Sequence, residues 1–167
     1  MIVALDAYYE DMGNGARVAA VGFRSWDDPT PLHYWTTCVR RVDPYTPGQF
    51  FKRELPCLQE ILTLAPEPFS TVIVDGHVWL DTGQPGLGHY LYHTLGKKHP
   101  VIGVAKRKFH KGIALEVLRG SSKKPLYVTA VGLSDSHAAD HIRSMHGENR
   151  IPTLLKYVDQ VSRGLIQ

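Results

Sequence analysis

The 167-residue chain is 43% apolar and 21% charged, enough to bury a core and too balanced for a disordered polymer. Its 19 Lys and Arg against 16 Asp and Glu give +3, a mild excess that favours an anionic partner over a cationic one without identifying nucleic acid. Met1 leads straight into a strand pattern, no apolar run approaches the roughly 20 residues of a membrane helix, and Cys38 and Cys57 form no CxxC pair. We expect one soluble cytoplasmic domain over residues 1–167 with two free thiols.

Three strand-like runs open the chain, Ile2 to Tyr8, Arg17 to Arg24 and Leu32 to Val42. Between them lie Asp11-Met12-Gly13-Asn14-Gly15 and Asp27-Asp28-Pro29-Thr30-Pro31, both turn chemistry, so the runs predict an antiparallel meander. From Pro47 onward, Phe50, Phe51, Leu55, Leu58, Ile61 and Leu62 recur at helical spacing, with Pro56 as a point where the helix kinks or restarts. Thr71 to Val74 and Val101 to Ala105 are buried-strand patterns around a helix from Leu87 to Leu95, an order that implies a parallel pair. Ile113 to Leu118 and Leu126 to Val131 are further strand candidates, and helices are expected over Ser134 to Met145 and Thr153 to Val161, with Ser134 as N-cap. An antiparallel three-strand meander followed by parallel strands and flanking helices is the order of an α/β, ribonuclease H-like fold with a mixed sheet.

Three carboxylates fall where that order brings strand and helix ends together. Asp6 lies within Ile2-Val3-Ala4-Leu5-Asp6, Asp75 closes Thr71-Val72-Ile73-Val74, and Glu54 belongs to the intervening helix. A carboxylate ending an apolar strand is costly to bury unless it meets solvent, a cation or a metal, and its oxygens suit Mg²⁺ or Mn²⁺. Each has a plainer explanation: Asp6 as a surface residue at a strand end, Glu54 as a helical partner of Lys52 or Arg53, Asp75-Gly76 as a turn. In the basic run Lys106-Arg107-Lys108-Phe109-His110-Lys111, solvated charge or nonspecific phosphate contact is the simplest role for Arg107, Lys108 and Lys111. The pairs His89/His93 and His137/His141 have i, i+4 spacing but no zincin glutamate, which favours surface or capping roles.

The ordered segments Pro44-Tyr45-Thr46-Pro47-Gly48, Phe51-Lys52-Arg53-Glu54-Leu55-Pro56, Val74-Asp75-Gly76-His77 and Pro100-Val101-Ile102-Gly103-Val104-Ala105-Lys106 resemble the motifs of endonuclease V. Members of that family are metal-dependent endonucleases that recognise deaminated purine, chiefly inosine, and cut the second phosphodiester bond on its 3′ side. The resemblance implies Asp6, Glu54 and Asp75 as metal-site carboxylates, Lys106 as the catalytic lysine, Mg²⁺ (or Mn²⁺) as cofactor, and DNA or RNA as partner. It also implies Tyr45 as a wedge at the lesion, although packing beside Pro44 and Pro47 explains that residue equally well. Gly48, His77, Arg107 and Lys108 complete the substrate-binding candidates.

Two segments depart from the family pattern. Gly132 is followed by Leu133 where a Gly-His pair is usual, leaving Asp135 or His137 as candidates for the fourth site function. Val78 to Gly86 has no counterpart of the family's His-Pro-Arg stretch, which helps shape the modified-base pocket. The family's helical N-terminal extension has no match either. The alternative functions are a nucleic-acid-binding relative with lost or altered cleavage, and a structure-selective nuclease without lesion preference.

Overall fold

The computed structural model describes residues 1–9, 15–39, 50–109 and 112–166. Strands β1 (Ile2–Tyr9), β2 (Ala16–Phe23) and β3 (His33–Val39) form the expected meander. Helix α1 (Phe50–Thr63) follows, then β4 (Thr71–Asp75), a two-strand hairpin β5 (Trp79–Asp81) and β6 (Gln84–Pro85), and α2 (Leu87–Thr94). The chain continues through β7 (Val101–Ala105), β8 (Leu115–Val117), β9 (Leu126–Val131), α3 (Asp135–Ser144) and α4 (Thr153–Ser162).

Seven strands make one mixed sheet in the order β3-β2-β1-β4-β7-β9-β8, with β1, β4 and β7 parallel and the others antiparallel to their neighbours. Alternation along the strands divides the core in two. Ile2, Ala4, Ile73, Ile102 and Val104 pack under α3 and α4 with Ile142, Leu154 and Val158. Val3, Leu5, Val72, Val74 and Val101 pack on the other face under α1 and α2 with Leu58, Ile61 and Leu91. The sheet is therefore covered on both faces, as its near-continuous apolar central strands require.

Several local expectations are refined. Helix α1 runs through Pro56, whose ring is on an exposed position, so the missing N–H breaks no buried bond. Ser134 caps α3 by accepting the His137 N–H at 3.3 Å. The β5–β6 hairpin lies in a stretch without apolar periodicity, and Gly83 at φ +69 makes its turn. No helix among the described residues is long and apolar enough to cross a membrane.

Candidate active site

The sheet register accounts for the position of two acids. Leu5 pairs with Val74 in parallel, so the next residues along these adjacent strands are Asp6 and Asp75, both directed to the α3/α4 face by strand alternation. Asp75 pairs with Val104, and Lys106, two residues beyond Val104, directly follows β7. Its Nζ lies 4.0 Å from Asp75 Oδ2.

Glu54 arrives from the opposite face by a different device. The buried stripe of α1 is Glu54, Cys57, Leu58, Ile61 and Leu62, a helical i, i+3, i+4, i+7, i+8 pattern in which the first position holds an acid where the rest hold apolar or thiol side chains. Glu54 is 5% exposed and its Oε2 has no hydrogen-bond partner. Burial, then the charges of Asp6 and Asp75, push its carboxyl well above the ordinary range, with Arg53 opposing. Asp6, 9% exposed, is raised to about 6, chiefly by burial, while a hydrogen bond from Ser162 Oγ opposes the shift and Asp75 and Asp159 add to it. Burial of its carboxyl also raises Asp75, although half of the whole side chain is exposed; Lys106 opposes and Asp159 reinforces that rise.

Asp159 and Ser162, both on α4, were not selected from the sequence. The buried positions of α4 are Leu154, Val158, Val161 and Ser162, so a small hydroxyl ends an otherwise apolar stripe and meets Asp6. That interruption is the signal in the sequence. Asp159 stands one turn earlier, lines the same cavity as Asp6, Asp75 and Lys106, and accepts from Arg163 Nε at 3.1 Å.

The remaining candidates separate by position. His77 adjoins Asp75 and donates from Nε2 to the Arg107 carbonyl at 3.1 Å, while burial pulls its pKa down. Arg107 and Lys108 are exposed beyond β7, and Lys108 Nζ lies 3.7 Å from Glu116 Oε1. Tyr45 and Gly48 lie outside the described residues. Asp135 and His137 are not brought to the site: β9 runs antiparallel to β7, with Val131 opposite Val101, so α3 begins at the end of the sheet away from Lys106. There Asp135 Oδ1 accepts the Ala130 N–H at 2.7 Å, a local turn bond. His89 packs at a tilt against Trp79 and His93, and His141 stacks on Trp26, which gives these three histidines packing roles.

Among the described residues, no group of three or more His, Cys, Asp or Glu side chains is drawn tightly enough to enclose a metal ion. The chemistry of the donors nevertheless fits a hard divalent cation, because Lys106 and Arg53 only partly offset these crowded carboxylates and Glu54 Oε2 is buried without a hydrogen-bond partner. Mg²⁺ commonly takes one or two protein carboxylates and completes its shell with water and phosphate, so an open set suits it.

With this geometry established, likeness to known proteins is informative. The family model for endonuclease V matches residues 1–151. The chain belongs to the endonuclease V family. A curated endonuclease V from Xylella fastidiosa (strain Temecula1) is 34% identical over 111 residues, which is 65% of this chain and 44% of the relative. The chain thus spans less than half the length of that relative. Endonuclease V from Streptomyces avermitilis superposes with a TM-score of 0.80 at 22% identity, covering 98% of this chain and 80% of the other. Ciona intestinalis endonuclease V, solved with a 24mer DNA containing an inosine followed by a ribo-adenosine, gives 0.82 at 22% identity, covering 98% and 84%. These structural likenesses establish the ribonuclease H-like fold.

Proposed function

We propose that the chain is a divalent-metal-dependent endonuclease that hydrolyses a phosphodiester bond near a deaminated base, inosine, in DNA or RNA. The observation that carries this reading is the end of the sheet where burial and neighbouring carboxylates push Asp6, Glu54 and Asp75 upward beside Lys106, in a chain of the endonuclease V family. The Ciona relative's inosine-containing DNA supports the choice of substrate.

In this reading Asp6 and Asp75 hold Mg²⁺, with Glu54 and Asp159 completing the anionic surround. The cation supplies Lewis acidity to the attacked phosphate when bound. Lys106 faces the same space and offsets the negative charge that grows on the phosphate during attack. Ser162 keeps Asp6 oriented, and His77 ties the segment after β4 to the basic loop after β7. The basic loop itself draws the phosphate backbone without reading sequence.

Matched oligonucleotides with and without inosine, incubated with Mg²⁺, Mn²⁺ or chelator and followed by product mapping, test the proposal. Metal-dependent cutting at the second phosphodiester on the 3′ side of inosine supports it. Binding without cutting points to the nucleic-acid-binding alternative, and equal cutting of unmodified strands removes the lesion preference.

A further inference from the structure

The cavity that begins at the carboxylates extends well beyond them, reaching about 540 Å³ as it runs along α4 to the β8–β9 turn and the α3–α4 loop. Leu126, Ile151, Leu155 and Val158 make its lining apolar, while Ser121, Ser122 and Asn149 supply polar groups at the far end. Such a volume falls in the range of small-molecule sites, where a mainly apolar lining carries a few placed polar groups. A phosphate has no use for the apolar lining. An unstacked heterocycle uses both parts, its faces against aliphatic side chains and its edge against hydroxyl and amide groups.

The walls of this cavity are fixed by two guanidiniums that donate to backbone carbonyls. Buried Arg119 donates to the carbonyls of Asn149 at 2.8 Å and Gly147 at 2.9 Å, and to that of Met145. Arg150 donates to the Pro125 carbonyl at 2.7 Å and to that of Lys106 at 2.6 Å. The first clamp holds the α3–α4 loop, and the second ties that loop to the strand end from which Lys106 projects. The cavity is therefore preformed and rigidly registered to the acidic edge, which lowers the ordering cost of binding.

We propose that this cavity holds the base of a nucleotide flanking the cut phosphate, unstacked from its neighbour. The proposal rests on the nuclease reading above, which sets the phosphate between Asp6, Asp75 and Lys106 at the cavity's mouth. Lys106 and Lys156 add positive charge to the lining beside the sugar–phosphate path.

Fluorescein-labelled single-stranded oligonucleotides containing inosine, with an abasic residue placed in turn at either nucleotide flanking the mapped cut or at the inosine, provide the test. Affinity is read by anisotropy in chelator and cleavage separately in Mg²⁺. Ser121→Trp narrows the far end from an exposed turn; Asn149→Ala removes an amide while keeping the carbonyl that Arg119 uses, and guards against a disturbed turn in the first variant. One flanking abasic position should weaken wild-type binding about tenfold, in line with the loss of a single base contact. Each variant should weaken binding of the parent strand, and the two losses should fail to multiply when combined at that position. Multiplying losses at both flanking positions, or an interaction confined to the inosine, overturns the proposal. Absent cleavage with the binding pattern intact removes the nuclease reading alone, whereas cleavage with multiplying losses removes the cavity assignment alone; no binding to any strand overturns both.

Discussion

At the end of the sheet where β1 begins, acidic side chains are consumed by local partners. Asp28 Oδ2 accepts the N–H groups of Arg24 and Ser25 at 2.9 and 2.8 Å, and Glu67 meets His33 at 2.9 Å, a hydrogen bond that pulls its pKa down. At the opposite end, where β4 and β7 finish, Glu54 Oε2 is buried without a partner and Asp6 is pushed up to about 6. The same chemical groups stabilise one end and burden the other. A protein optimising stability alone pairs or exposes such charges, so the second cluster supports the proposed cation site.

The largest expected consequence of this contrast is loss of chemistry at the acidic end. Asp6→Asn and Asp75→Asn should each reduce single-turnover cleavage by at least about a thousandfold, as expected when an electrostatic or metal contribution to the transition state is removed. Their thermal unfolding in chelator should be unchanged or shifted upward, since each variant relieves repulsion. Glu54→Gln should lose comparable activity in Mg²⁺ and regain part of it in Mn²⁺.

Lys106 and Lys108 sharpen the contrast within a single loop. Lys106→Ala should lower kcat by about a hundredfold while changing oligonucleotide affinity little, as for the loss of one transition-state donor. Lys108→Ala, whose amine faces Glu116 and not the acids, should leave kcat in place and reduce the salt slope of binding by at most about one. Kinetics at saturating substrate and salt titrations distinguish the two; equal losses of kcat would reduce Lys106 to another backbone contact.

A smaller effect concerns stability against pH. Asp6 has a folded pKa of about 6 against an ordinary value of 3.8, so between these values the folded state binds more protons than the unfolded state. The contribution of this residue to stability is therefore fully present below pH 4 and is lost as pH rises through about 6, roughly 3 kcal/mol in all. Glu54 acts in the same direction. Thermal unfolding in chelator from pH 4.5 to 7.5 should show the decline, and added Mg²⁺ should offset it at the upper end. A metal-free protein that becomes steadily more stable across that interval would contradict the assignment.

Asp135 gives the smallest effect and the control from the other end. Replacing it with Ala removes the bond to Ala130 N–H and should cost about 1 kcal/mol of stability while cleavage persists. Denaturant unfolding beside a cleavage assay checks both, and lost cleavage in a folded variant would return Asp135 to the site.

Much of the sheet was legible because the short apolar runs 2–5, 71–74 and 101–105 are followed directly by Asp6, Asp75 and Lys106; parallel register then aligns those positions without further information. Helix α1 was legible from its periodicity, whereas Glu54 stood out only through the Arg53-Glu54-Leu55-Pro56 motif, since its burial in the stripe with Cys57, Leu58, Ile61 and Leu62 shows only once the helix is packed. The hairpin β5–β6 was not, since three- and two-residue strands carry too little alternation to register. Asp159 escaped notice because an acid on an amphipathic helix ordinarily faces solvent, and only the packing of α4 onto β1 turns it toward Asp6. Asp135 and His137 attracted attention through proximity to Gly132 in the chain, whereas the antiparallel return of β9 carries them to the far end.

The most direct test of the central claim is Mn²⁺ binding to the folded protein at pH 7.5, followed by electron paramagnetic resonance of the free ion. Wild type should sequester Mn²⁺ in competition with Mg²⁺, Asp135→Ala should do so equally, and Asp6→Asn and Asp75→Asn should bind at least about tenfold more weakly. Unchanged binding in both Asn variants would contradict the assignment of the acidic edge as the metal site.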